Sequence, residues 1–214
     1  MQRDTLFRQP RLVLGMAFVL VSVLAAGCAP VLAVAMPATD ANATRARQAH
    51  PEPAKRQLLR EFEVAEDPNR FVFDTAIVDA NGMPAHGSTF ITQGYIYPAG
   101  ALNGSNGVLA DGSPEFPDKV LGEWTCRGWV VGDGMATGAG VSASTTQLFR
   151  FGDDRQGWTL VSDGYETLEI GVPVTRAITG GIGPYGALEG EIVQTLLGTT
   201  DQMGVSFHFE IETR

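Results

Sequence analysis

Hydrophobic and polar residues alternate with a period of two along most of the chain after Leu58. The clearest alternation lies near the C-terminus, across residues 205–211. Its apolar positions and the polar positions between them are Val205, Phe207, Phe209 and Ile211 against Ser206, His208 and Glu210. Successive side chains of a strand point to opposite faces, so this pattern predicts half-buried β-strands.

Turn residues divide the alternating region into nine segments, and Asn81-Gly82 is a strong hairpin signal between two of them. The predicted strands are 58–64, 71–78, 88–97, 120–131, 144–151, 158–165, 172–179, 191–197 and 205–211. No segment has the pattern of an amphipathic helix of ten or more residues. Strands at this spacing predict a sandwich or a barrel, and the period alone does not choose between them.

Residues 98–119 interrupt the strands with 22 residues rich in Gly, Asn, Ser, Pro and Asp. Loops of this length inside a compact domain are uncommon and are often functional. Leu102, Val108, Leu109 and Phe116 are the apolar residues that could hold the segment against the body. It is either an ordered lid or an Ω-loop without a role in function.

The N-terminus has the pattern of an export signal, with Arg3, Arg8 and Arg11 ahead of an uncharged apolar run over 12–26. Gly27-Cys28 follows, and the segment is similar to a bacterial lipobox in which Cys28 is lipidated. Ordinary cleavage at 33–35 and an uncleaved membrane anchor are the alternatives. We expect a signal peptide over 1–27, a disordered tether over 28–57 and one domain over 58–214.

The charge and the cysteine and histidine content of the chain argue against some classes of function and site. The 214 residues have a net charge of −9, and from Glu61 onward 7 Lys and Arg face 21 Asp and Glu. An acidic body argues against nucleic-acid binding, because phosphate contacts need Lys and Arg. The second cysteine, Cys126, has no expected intramolecular partner and is predicted to be a buried thiol. The three histidines lack metal-ligand spacing, so we expect no metal site.

Several segments carry a resemblance to a known family. Residues 177–191 read AITGGIGPYGALEGE, and TQGYIYP at 92–98, GSNG at 104–107 and WTCRG at 124–128 accompany them. Together they resemble the allene oxide cyclase and dirigent barrels, and most of all the bacterial allene-oxide-cyclase-barrel-like branch. The resemblance implies an all-β fold, a single eight- to nine-stranded antiparallel β-barrel that is calycin-like. It also implies a homo-oligomer.

The glycine-rich turn at 180–183 is interpreted as a corner of this barrel and not as a phosphate cradle, since no helix follows it. Gly180, Gly181 and Gly183 can take positive φ there. Tyr185 is expected to fold back into the barrel, and Gly190 to allow close packing where the next strand begins.

Candidate site residues are those that could face a barrel lumen. Glu123 and Glu166 are the strand carboxylates predicted to face it, where a buried carboxyl could act as an acid. Aromatic and basic residues of the strands are predicted to bind a ligand: Tyr95, Tyr97, Arg127, Trp129, Tyr165 and Tyr185. The alternative is that the rings fill the core and leave no cavity.

We expect an exported protein, lipid-anchored in the cell envelope or secreted, that binds a small hydrophobic molecule without a cofactor. Whether it is an enzyme stays open. The resemblance implies that any chemistry would be intramolecular cyclisation, isomerisation or stereocontrol of a reactive intermediate. The alternatives are a ligand carrier of the envelope and a structural protein that works through its surface.

Overall fold

The strands form a closed antiparallel barrel. The computed structural model describes residues 58–133, 140–152, 157–199 and 204–213. The strands are β1 Glu61–Glu66, β2 Val72–Phe73, β3 Thr89–Pro98, β4 Gly122–Val130, β5 Val141–Phe151, β6 Trp158–Thr167, β7 Pro173–Gly181, β8 Gly190–Thr199 and β9 Val205–Thr213. The predicted leader, the tether and Cys28 lie outside the described residues.

Each strand from β3 to β9 pairs with the next, and β1 lies between β9 and β3. These eight strands close the barrel, so the choice between barrel and sandwich is settled by the β1–β3 pairing. The short β2 pairs with Phe90 and Ile91, a part of β3 that β1 does not cover. The strand predicted at 71–78 was therefore too long. The Asp74 carboxylate accepts a hydrogen bond from Ala76 N at 2.9 Å, a local turn that ends the strand.

One end of the barrel is filled by aromatic side chains. Phe62 of β1 stacks on Phe209, with ring centroids 5.3 Å apart, and meets Phe149 and Phe151 edge-on. Tyr185 folds back into this end, as predicted, and its ring stacks on Phe151 at 5.2 Å. Aromatic pairs in these geometries add to the stability that their buried area provides. These rings fill the lumen at this end.

The long segment between β3 and β4, which we call the outer loop (residues 99–121), packs on the outside of the barrel. Leu102 is buried against Tyr97 and Ala65, and Val108 and Phe116 pack on the same cluster. The Glu63 carboxylate accepts hydrogen bonds from Gly100 N at 2.9 Å and Leu102 N at 2.8 Å. Three of the four predicted apolar anchors are confirmed, whereas Leu109 is exposed.

The glycine-rich turn needs positive φ at one of its three glycines only. Gly183 has φ +66°, whereas Gly180 and Gly181 belong to β7. A Cβ on Gly181 would stand 2.6 Å from the Tyr185 carbonyl oxygen, so close packing requires that glycine. Gly190 is required for the predicted reason, since a Cβ there would stand 2.2 Å from the Glu212 oxygen.

Gly94 is essential where β1 and β3 close the barrel. It pairs with Glu66, and a Cβ on it would lie 2.1 Å from the Ala65 carbonyl oxygen. Gly94→Ala is expected to lower the free energy of unfolding by about 1–3 kcal/mol, because the clash is with backbone and cannot relax by side-chain rotation. Chemical denaturation would measure the loss. Gly180→Ala is the control, since nothing lies within 4 Å of its Cβ position; equal effects would contradict this explanation.

Candidate functional site

A cavity of about 250 Å³ occupies the lumen at the end opposite the packed aromatic core. Strand β1 runs from one region to the other, with Phe62 in the core and Glu66 at the cavity. Aromatic rings and two carboxyl groups line much of the cavity wall: Phe71, Phe90, Trp124, Phe207, Glu66 and Glu166. Residues of the outer loop do not line it. The loop is therefore not a lid for this cavity.

Glu66 is the more deeply buried of the two carboxyls, at 5% exposure. Its Oε2 accepts a hydrogen bond from Val205 N at 3.0 Å. Burial raises the pKa of Glu66 from 4.5 to about 7, and the acidic groups Glu166 and Asp67 add to the rise. The nearby Thr92 hydroxyl lowers the pKa of Glu66, although its distance and angles do not meet those of a hydrogen bond. Glu66 therefore exchanges its proton near neutral pH.

Glu166 faces the lumen from β6, as the sequence predicted, and is held through one oxygen. Its Oε1 accepts hydrogen bonds from Thr145 Oγ1 at 2.8 Å and Gln147 Nε2 at 2.5 Å. The Cys126 thiol donates to the same oxygen at 3.4 Å, and Arg176 lies 3.6 Å away. Such a donor set suits a carboxylate anion. Among the described residues, no group hydrogen-bonds to Oε2, which leaves that oxygen open to the cavity.

Arg176 forms the base of this polar network from β7 and is 1% exposed. Its guanidinium donates to Ser162 Oγ at 3.2 Å, to the Tyr165 carbonyl at 3.1 Å and to the Thr145 carbonyl at 3.0 Å. Burial lowers the pKa of Arg176, and the neighbouring Glu166 opposes that shift. The guanidinium is thus fixed behind Glu166, where it balances the charge of that carboxylate and fixes its position.

Cys126 lines the cavity between these groups and is buried, as predicted. Burial raises the pKa of its thiol, and the charge of Glu166 raises it further. The thiolate is the reactive form of cysteine, so this thiol is a weak nucleophile at neutral pH. Its role here is to fill space and to donate a hydrogen bond to Glu166.

The prediction that Glu123 faces the lumen is wrong. Glu123 alternates with Trp124, and it is Trp124 that is buried inside the barrel. On the outer face the Glu123 carboxylate forms ion pairs with Arg150 and with Arg70, the latter at 3.7 Å.

The predicted pocket of Tyr95, Tyr97, Trp129 and Tyr165 is not formed in the lumen, because these side chains point outward from β3, β4 and β6. The Tyr95 hydroxyl donates to the Gly112 carbonyl at 2.8 Å, and the Tyr97 hydroxyl donates to the Gly107 carbonyl at 2.6 Å. Both therefore support the outer loop. Trp129 and Tyr165 are more than half exposed.

Two further predicted ligand-binding residues also lie away from the cavity. Arg127 is exposed on the outer face of β4. Tyr185 is buried in the packed core, where its hydroxyl donates to the Leu59 carbonyl at 3.3 Å. The aromatic wall is formed instead by Phe71, Phe90, Trp124 and Phe207.

Sequence reasoning missed Glu66 and Arg176. The predicted first strand ended at Val64, although continuing its alternation from Phe62 and Val64 places Glu66 on the inner face. Arg176 gave no such signal, because its burial depends on partners from β5 and β6.

Within the described residues, no group of three or more metal-ligating side chains is placed to hold a metal ion. The same part of the chain has no helix long and apolar enough to cross a membrane.

Comparison with known proteins finds similarity to solved structures at low identity. No family model and no curated protein matches the chain. Among solved structures, pyocyanin demethylase is 14% identical with a TM-score of 0.42, over 71% of this chain and 98% of that one. The pterocarpan synthase dirigent protein PsPTS1 is 14% identical with a TM-score of 0.45, over 71% and 90%. Its counterpart GePTS1 is 12% identical with a TM-score of 0.44, over 71% and 84%. Two of these three neighbours are dirigent proteins, the group that the sequence motifs resemble.

Proposed function

We propose that the barrel binds a small, largely apolar molecule in its lumen, against the aromatic wall and beside Glu66 and Glu166. The observation that carries this function is the cavity of about 250 Å³ in the lumen, at the end opposite the packed aromatic core. Small-molecule sites combine an apolar lining with a few placed polar groups. Here the rings supply the buried contact area, and the two carboxyls supply the polar contacts.

The test is native mass spectrometry of the full chain, kept in solution with a non-ionic detergent and incubated with one- and two-ring aromatic molecules. Ala143 lines the cavity from β5, whereas the next residue, Ser144, points outward. Ala143→Phe is expected to lower ligand affinity at least about 10-fold, equivalent to about 1.4 kcal/mol, because the added ring occupies the ligand's volume.

Ser144→Phe adds the same ring on the outer face and is the matched control for that substitution. It should leave ligand binding unchanged. Binding that survives Ala143→Phe would place the ligand outside the lumen. The absence of any bound molecule across the whole panel would remove the proposed function.

A second candidate function is cofactor-independent catalysis on the bound molecule, such as isomerisation or cyclisation. It is favoured by the open Oε2 of Glu166, which could take a proton from the ligand while Glu66, able to exchange its proton near pH 7, returns one. The ligand then keeps its atoms, while Glu166 ends protonated and Glu66 ionised, so Glu166 must release its proton and Glu66 must take one up from solvent before the next turnover. The alternative to catalysis is that the protein carries the ligand without changing it. We also propose that the chain is exported and anchored to the envelope through Cys28.

A further inference from the structure

The charge of the cavity points to the class of ligand. Glu66 and Glu166 each have one oxygen held by a protein donor and the other oxygen without a hydrogen bond from the described residues. Neither of these second oxygens is fully buried. Both residues line the cavity, so the two oxygens are open to it. The cavity therefore presents two acceptors to its occupant.

Among the residues that the structure describes, the cationic groups near the site are already paired. Arg176 lies against Glu166, and Arg70, three residues beyond Asp67, pairs with Asp67 at 3.1 Å and with Glu123. Glu66 makes no ion pair with any described residue. A buried carboxylate without a cationic partner is costly, and an occupant of the cavity can supply that partner.

The wall around Glu66 suits a cation with an apolar body. Phe71, Phe90, Trp124 and Phe207 line the same cavity, and the faces of aromatic rings attract organic cations. The body of the protein from Glu61 onward has 21 acidic and 7 basic residues, so its field also attracts cations. The aromatic wall, the unpaired carboxyl and the acidic body all favour the same ligand charge.

We propose, on the premise that the proposed function holds, that the lumen ligand is an organic cation, with its ammonium group beside Glu66 and its apolar part against the aromatic wall. The groups that face Glu66 and could alter its charge are Glu166 on β6, with Arg176 behind it, Cys126 on β4 and the adjacent Asp67. None of them is a cation free to replace the ligand.

The decisive experiment compares two probes of the same shape. Benzyltrimethylammonium has a permanent positive charge, and neopentylbenzene is its neutral isostere. Equilibrium dialysis of the full chain, with the same non-ionic detergent on both sides, would give their affinities between pH 5.5 and 8.5. Because Glu66 loses its proton near pH 7, the affinity for the cation should rise by about 10–30-fold over this range, and the affinity for the neutral probe should not rise.

Glu66→Gln should abolish the rise and weaken cation binding about 10-fold at pH 8. Glu210→Gln removes an exposed carboxylate of β9 and is the charge control, expected to bind as the unmodified chain does. Cation binding that ignores both pH and Glu66→Gln, or that survives Ala143→Phe, would overturn the inference by placing the probe on the acidic surface. Tight binding of the neutral probe alone would also overturn it but leave the proposed function standing. Failure of both probes, together with an empty lumen across the aromatic panel, would remove the proposed function itself.

Discussion

Arg176→Met is expected to lower the free energy of unfolding by about 3–5 kcal/mol, the largest single effect that the structure predicts. The substitution removes the cation that lies 3.6 Å from Glu166 Oε1 while keeping much of the side-chain volume. It also leaves the Tyr165 and Thr145 carbonyl oxygens without their buried donor. The cost is large because the partners stay buried after the guanidinium has gone.

Chemical denaturation followed by tryptophan fluorescence would measure this loss, with Arg127→Met as the control. Arg127 is exposed on the outer face of β4, so its replacement should change stability by no more than about 0.5 kcal/mol. Adding Glu166→Gln to Arg176→Met should recover part of the loss, because the second change removes the uncompensated charge. A loss below about 1 kcal/mol for Arg176→Met would contradict a buried ion pair at this position.

The strand pattern was predictable because each barrel strand has one buried face. Along β9, Val205, Phe207, Phe209 and Ile211 face the lumen, as their alternation with polar residues predicts. Glu166 also faces the lumen as expected, but alternation did not place it, since the predicted strand ended at residue 165 and the neighbouring Tyr165, also expected in the lumen, points outward. A period of two is a local property, and it survives in any fold that buries one side of a sheet.

The direction of the aromatic residues on β3 and β4 was not predictable from alternation. Both faces of β3 have large apolar side chains, since Ile96 faces the lumen while Tyr97 is buried beneath the outer loop. A second buried face therefore removes the contrast on which the sequence argument depends. Tyr95 and Tyr97 point outward to contact the outer loop, residues 99–121. Where that loop packs depends on the tertiary structure.

Arg176 illustrates a different limit. An arginine between threonine and alanine in a strand has the pattern of a solvent-exposed position. Its burial becomes tolerable only because Ser162, Glu166 and two backbone carbonyls from neighbouring strands converge on it. That convergence depends on the registers of β5, β6 and β7, which the local sequence does not reveal.

Stability should fall as pH rises from about 4.5 to about 7, and Glu66→Gln should remove this dependence. Below pH 4.5 the carboxyl is protonated in both the folded and the unfolded chain, and burial costs little. Between the two pKa values the unfolded chain loses the proton that the folded chain keeps, so unfolding becomes progressively easier. Above pH 7 both states are ionised, and the loss levels off at about 3 kcal/mol, since each unit of pKa is worth about 1.36 kcal/mol.

The measurement is the difference in unfolding free energy between Glu66→Gln and the unmodified chain at pH 4.5, 6, 7 and 8. Glutamine can still accept the hydrogen bond from Val205 N, so the two chains should have similar stability at the lowest pH. At pH 8 the variant should be more stable by about 3 kcal/mol, because a neutral amide carries no charge into the cavity. Glu210→Gln, at an exposed position of β9, should follow the unmodified chain throughout. A difference that does not change with pH would mean that Glu66 is solvated at the cavity wall, and Glu66 would then no longer be a candidate for the proton exchange proposed near neutral pH.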